Sequence, residues 1–151
     1  MVGDTARELA NIVNEFAPRL LAISESKSGE RTSPGKWSAK QILGHLIDSA
    51  SNNHQRFVRA QQEVEVRLAG YEQERWVEAQ AYQNESWDNL VSLWSSYNRH
   101  LAHVISVVPE RKLTNTCALG ENDPVSLGFL ITDYIRHLKH HLEQIFGGSK
   151  Y

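Results

Sequence analysis

The chain has 151 residues, with 16 Lys and Arg against 18 Asp and Glu and a formal net charge of -2; one domain over residues 1–151, with a sizeable core, is expected. This near-neutral balance lacks the basic field that nucleic-acid binding needs, so no nucleic-acid partner is expected. The single cysteine, Cys117, excludes an intrachain disulfide, no apolar run approaches a membrane span of roughly 18 residues, and the charged N-terminal stretch (Asp4, Arg7, Glu8, Glu15) is unlike a signal peptide, so a cytoplasmic protein without membrane attachment is expected.

Leu9, Ile12, Val13, Phe16 and Leu20 recur three and four apart and predict a first helix over residues 5–24, bent or split at Pro18. The polar, Ser- and Gly-rich run 25–35 reads as a loop. Ser38 followed by Gln41 fits a capping box, and the stripe Ile42, Leu43, Leu46, Ala50, Phe57, Ala60 and Val64 extends a second helix to about Arg67, on the order of 45 Å. Residues 68–85 hold Gly70, Tyr71, Trp76 and Tyr82 without periodicity and read as a long crossover with aromatic anchors.

A third helix spans 86–108, with Leu90, Leu93, Trp94, Tyr97, Leu101, Val104 and Ile105 on one side, and Pro109 stops it. Residues 110–123 read as another loop. Pro124 or Ser126 opens the fourth helix, which carries Leu130, Ile131, Tyr134, Leu138, Leu142, Ile145 and Phe146 and ends at a Gly147-Gly148 cap. No segment alternates convincingly with period two. The expected fold is an all-α four-helix bundle, with a crossover long enough to let the second and third helices run parallel.

There are seven histidines in the chain. At about 100° per residue, His137 and His141 share one edge of the apolar stripe centred on Leu138, one turn apart, while His140 faces water. On the second helix His45 stands at the border of the stripe centred on Leu46, and His54 points away from it. An i, i+4 pair lets two imidazoles reach one ion, and a third from a facing helix leaves one coordination position open, as in catalytic zinc sites. From spacing alone this metal site and a chance set of border histidines bonded to carbonyls are both open.

His100 and His103 straddle their stripe and read as interhelical hydrogen-bonders. Asp48, Asp133 and Gln144 are spaced to orient His45, His137 and His141, although salt bridges or a solvated face suit the two acids equally. Cys117, in the loop before the fourth helix, reads as a lone half-buried cysteine, with a reactive thiol as the alternative.

Lys36-Trp37-Ser38 leading into Ile42-Leu43-Gly44-His45-Leu46-Ile47-Asp48 resembles the second-helix signature of the DinB-like, or YfiT-like, metalloprotein superfamily. The run from Asp133 through His137 and His141 to Ile145 resembles its fourth-helix signature, and the likeness covers essentially the whole chain. It implies a bundle of two parallel and two antiparallel helices. It further implies a divalent ion, zinc or nickel, held by His45, His137 and His141. Characterised members of that superfamily include transferases using low-molecular-weight thiols; many others have no known reaction and are named as metal-dependent hydrolases.

An open metal position acidifies a thiol or water bound there. The expected function is therefore a metal-dependent enzyme acting on a small molecule, as a thiol S-transferase with a low-molecular-weight thiol as co-substrate or as a hydrolase. The alternative is a non-catalytic metal-binding bundle serving as a binding or stress-response module. Trp76, Tyr82 and Trp87 are more aromatic area than a small bundle core easily absorbs, so a homodimer is expected, with folding back onto the chain's own bundle equally open for any one of them.

Overall fold

The computed structural model describes residues 2–147. Helix α1 (Val2–Leu21) runs through Pro18 without splitting. The carbonyl that loses its donor belongs to exposed Asn14, where water reaches it, so the proline is tolerated. A short helix α2 (Glu25–Ser28) occupies part of the stretch expected to be loop, started by Ser24, whose hydroxyl accepts from the Lys27 N–H at 3.1 Å. Glu25 then accepts from the Trp87 N–H at 2.9 Å and pairs with buried Lys40, which ties α2 to the start of the next helix.

Helix α3 (Ala39–Arg59) begins at the expected capping box: Ser38 Oγ accepts from the Gln41 N–H, and Gln41 Oε1 from the Ser38 N–H. It ends at Arg59, not Arg67, and is about 32 Å long. Val64, counted into its stripe from the sequence, is 80% exposed. The chain beyond Arg59 has better partners than another helical turn. Ala60 C=O accepts from Asn115 Nδ2 at 2.8 Å, Val64 C=O accepts from the Thr116 N–H at 2.9 Å, and strand β1 (Glu65–Leu68) follows.

The crossover continues through helix α4 (Gln73–Gln80) and a 3-10 turn at Tyr82–Asn84. Helix α5 (Trp87–Ser106) is capped by Ser86, whose hydroxyl accepts from the Asn89 N–H at 3.2 Å. A 3-10 turn at Glu110–Lys112, strand β2 (Thr116–Leu119) and strand β3 (Val125–Ser126) fill the second expected loop. The three strands make a small sheet in the order β1-β2-β3, with β1 parallel to β2 (Val66 opposite Cys117) and β3 antiparallel (Val125 opposite Cys117). Cys117 thus sits in the central strand, fully buried, and not half-buried in a loop. Helix α6 (Leu127–Ile145) is capped by the Ser126 hydroxyl, and Gly147 follows it at φ +74°, a conformation that favours glycine; Gly148 lies outside the described residues.

Contacts along the helices fix their directions. Asn14 meets Arg99 and Leu20 C=O meets the Trp87 indole N–H, so α1 and α5 are antiparallel. Glu8 meets Lys139 and Phe16 meets Phe146, so α1 and α6 run parallel. Lys40 lies beside Gln83, just before α5, and His54 beside Tyr97 on it, so α3 and α5 run parallel, as the long crossover allows. His45 meets His141 and Phe57 meets Tyr134, so α3 and α6 are antiparallel. The result is a four-helix bundle of α1, α5, α3 and α6 with the sheet as a minor addition.

Two of the three aromatic residues expected at a dimer surface are in the chain's own core: Tyr82 is 4% exposed and Trp87 1%, its indole donating to Leu20 C=O at 2.7 Å. Trp76, at 39%, is the exposed one. No described helix is long and apolar enough to cross a membrane.

Candidate metal centre

His45 lies in the second turn of α3, fully buried, with its ring 5.3 Å from the half-buried Trp37 that precedes the helix cap. The antiparallel neighbour α6 presents His137 and His141 one turn apart, their ring centroids 4.5 Å from each other. Both meet the His45 ring edge-on, at 5.0 and 4.8 Å. One nitrogen from each ring falls within 4.8 Å of the others, and the Nε2 atoms of His45 and His137 are 3.2 Å apart. Among the described residues no cysteine, carboxylate or further histidine joins this group.

The electrostatics keep the rings neutral. Burial first, then the neighbouring His137 and His141, pulls His45 down to about 3. Burial and His141 pull His137 down to about 4, against a smaller opposing effect of Asp133. Burial also lowers His141, partly offset by its bond to Gln144. Gln144 Oε1 lies 2.8 Å from His141 Nδ1 and, being a carbonyl oxygen, can only accept. The His141 proton is therefore on Nδ1, which leaves Nε2 as a bare donor atom.

The donor set fits a divalent transition ion. Imidazole nitrogens suit zinc, nickel, copper and iron. Bonds of about 2.0–2.1 Å in tetrahedral geometry would place two nitrogens about 3.3 Å apart, close to the His45–His137 separation. Two unprotonated nitrogens facing each other at that distance repel unless a proton or a cation lies between them.

Other sequence candidates divide differently. Asp48, 2% exposed, does not orient His45: its Oδ1 accepts from Tyr82 OH at 2.6 Å and from Gln80 Nε2 at 2.8 Å, anchoring the crossover on α3. His45 Nδ1 and Asp48 Oδ2 each have no hydrogen-bond partner. Asp133 pairs with Arg136 at 2.6 Å and makes no bond to His137. Gln144 does bond its histidine.

His54 is half-buried, with Nδ1 2.9 Å from Tyr97 OH, because α5 runs beside the face expected to be open. His100 and His103 are exposed and meet other rings edge to edge or obliquely, His100 at 5.3 Å from His54, without the expected interhelical hydrogen bonds. His140 is half-buried, where full exposure was expected, and lies beside His141 outside the three-ring group.

A cleft of about 260 Å³ opens beside His137 between α3, α6 and the sheet, lined also by Ser49, Asn53, Arg56, Tyr71 and Tyr134. Sequence reasoning missed Arg56 and the packing of Trp37 on His45. Arg56 follows His45 by 11 residues, three helical turns, which was the available signal.

The comparisons agree with this architecture. A protein from Bacillus mycoides named "Putative metal-dependent hydrolase" is 26% identical over 139 residues, covering 92% of this chain and 80% of its own length. A Bacillus cereus protein of the same name is 25% identical over 145 residues, covering 96% and 83%. The solved structure of YfiT from Bacillus subtilis, described as a probable metal-dependent hydrolase with an unusual four-helix bundle topology, superposes with a TM-score of 0.84 at 16% identity. It covers 96% of this chain and 84% of that one, and shows the shared fold. The family model of the DinB superfamily matches residues 8–145, and the chain belongs to that superfamily.

Proposed function

We propose that this protein is a metal-dependent enzyme in which His45, His137 and His141 hold one divalent ion, zinc or nickel, and a small molecule reacts in the cleft beside His137. The observation that carries the reading is the convergence of three neutral imidazoles that no cysteine, carboxylate or further histidine joins among the described residues. A structural ion would be closed by four protein ligands, whereas three leave a position for a reactant. That distinction speaks against the alternative of a non-catalytic, metal-stapled binding module. The names of the relatives point the same way.

A bound divalent ion would supply Lewis acidity, making a water or thiol that reaches it a stronger acid near neutral pH. The chain's own residues do the rest. Gln144 fixes the tautomer of His141, Trp37 packs against the ring of His45, and Ser49, Asn53, Arg56 and Tyr71 shape the approach.

Hydrolysis is the reaction class nearest to the relatives' names. Transfer of a low-molecular-weight thiol is the second reading, favoured by one observation: the acids nearest the rings in sequence, Asp48 and Asp133, are engaged with Tyr82, Gln80 and Arg136. Asp133 lines the cleft with one oxygen on Arg136 and Asp48 holds the crossover, whereas a thiol needs no base once it has ionised. Exposed Trp76 remains as an aromatic anchor for the homodimer we expect in the cytoplasm.

The test is elemental analysis of tag-free protein, followed by turnover assays on activated esters and on electrophiles with added thiol. One ion per chain and turnover lost in His137→Ala support the reading. A metal-free protein that gains no ion on dialysis against zinc or nickel would sink it.

A further inference from the structure

The wall of the cleft contributed by α3 is one helical face. Ser49, Asn53 and Arg56 follow His45 by 4, 8 and 11 residues, so at about 100° per residue they lie about 40°, 80° and 20° round from it. Arg56 stands about 16 Å along the axis from His45, and long helical side chains lean toward the N-terminus of their own helix, here toward the histidines.

Arg56 is half-buried and takes part in none of the ion pairs among the described residues. Its guanidinium carbon lies 5.9 Å from the centroid of the Tyr71 ring, and Cys117 is its other electrostatic neighbour. Both are neutral acids, held above their ordinary pKa by burial, so neither balances the charge. Burial also pulls the guanidinium itself below its usual value. A desolvated cation without a counter-ion is costly to keep, and this one lines the same cleft as His137.

Two acids line that cleft as well, Asp133, already paired with Arg136, and exposed Asp123. One uncompensated cation with two acids nearby suits a singly charged planar anion better than a phosphate dianion. A guanidinium fork matches a carboxylate with two parallel hydrogen bonds. Phe129 and Leu130 add an apolar stretch for the intervening carbon chain.

We propose that the reacting molecule carries a carboxylate, bound by Arg56 at the far end of the cleft from the three histidines. This rests on the reading of the histidines as the reaction centre, but binding can be tested apart from it. Hexanoate and its neutral analogue hexanamide are titrated calorimetrically into zinc-loaded and chelator-stripped protein, wild type, Arg56→Met and Arg56→Lys, with circular dichroism as the folding control.

Wild type should bind hexanoate in both forms and prefer it to hexanamide. Arg56→Met should lose about tenfold to a hundredfold in hexanoate affinity with hexanamide unchanged, the range of a charge-assisted hydrogen bond. Arg56→Lys should fall between, since it keeps the charge and loses the fork. Equal hexanoate binding by wild type and Arg56→Met overturns the proposal, as does the absence of any preference over the amide. Hexanoate bound only by the zinc form, whatever residue 56 is, places the carboxylate on the ion and overturns it while leaving the metal centre intact. Arg56-dependent binding in a chain that retains no zinc supports the carboxylate site and removes the histidines from the reaction.

Discussion

The Nε2 atoms of His45 and His137 lie 3.2 Å apart across a sequence separation of 92 residues. No local rule brings them together; the antiparallel packing of α3 on α6 does. The contact is expected to be a metal edge, and the four histidines around it separate ligands from bystanders. His45→Ala, His137→Ala and His141→Ala should each take metal content from about one ion per chain to near zero, because two nitrogens hold a divalent ion far less well than three. His140→Ala should retain it, although His140 adjoins His141. Helical circular dichroism should persist in all four, since Leu46, Leu138 and Leu142 keep the packing. Loss of metal in His140→Ala together with retention in His137→Ala would show the register of the pair to be wrong.

Gln144 and Asp133 were equivalent candidates in the sequence and are not equivalent in the structure. Gln144 accepts the His141 Nδ1–H, whereas Asp133 is paired with Arg136. Gln144→Ala should weaken metal affinity by about tenfold to a hundredfold, the usual effect of removing a partner that orients a ligand. Asp133→Asn should change it little. Competition with a chromogenic chelator measures both. Equal losses in the two variants would mean that the charge at 133, not the bond at 144, governs the site.

The contrast marks how far the sequence was legible. Helical periodicity located α1, α3, α5 and α6, the capping box at Ser38 and the choice of Pro124 or Ser126 located two of their starts, and the wheel put His45, His137 and His141 on the edges of apolar stripes. The sheet was illegible because strands of four, four and two residues are too short to show alternation. Val64 was misread for the same reason: an apolar residue in phase with a helix says nothing about the strand partner that Thr116 offers 52 residues later. His54 was placed toward water because the wheel of α3 cannot register α5 running parallel beside it. Arg56 was overlooked because a cation on a helix is ordinary until it proves to take part in none of the ion pairs among the described residues.

Acid should destabilise the metal-stripped protein over a defined window. In the unfolded chain His45 and His137 take up protons near the ordinary value of 6.5; in the fold they do so only near 3 and near 4. Between about pH 6.5 and 4 the unfolded state therefore binds more protons, and stability rises with pH there. Each ring contributes a slope of up to about 1.4 kcal/mol per pH unit. Urea midpoints of the stripped protein should fall steadily from pH 7 to pH 4, and His45→Phe should flatten the dependence. A midpoint independent of pH in this range would mean that the rings are solvated in the metal-free state.

Beside His45 in the chain, Gly44 is where the crossover seats on α3. Gly44 has no side chain, and a Cβ there would overlap the ring of Tyr82, whose hydroxyl donates to Asp48 Oδ1 at 2.6 Å. The ring can lie flat on α3 only because residue 44 is glycine, and in that position it pins the crossover to the helix that carries His45. Gly44→Ala should push Tyr82 off its bond and cost about 1–3 kcal/mol, the usual penalty for overfilling a core. The gain in helix propensity, about 1 kcal/mol, opposes this and sets the lower end. Tyr82→Ala removes the obstacle, so adding Gly44→Ala to it should be neutral or stabilising. A double-mutant cycle by urea unfolding gives the coupling directly. Additive effects of the two substitutions would mean that the ring moves aside at no cost and that the crossover is held by its other contacts, among them Gln80 on Asp48 and Lys40 on Gln83 C=O.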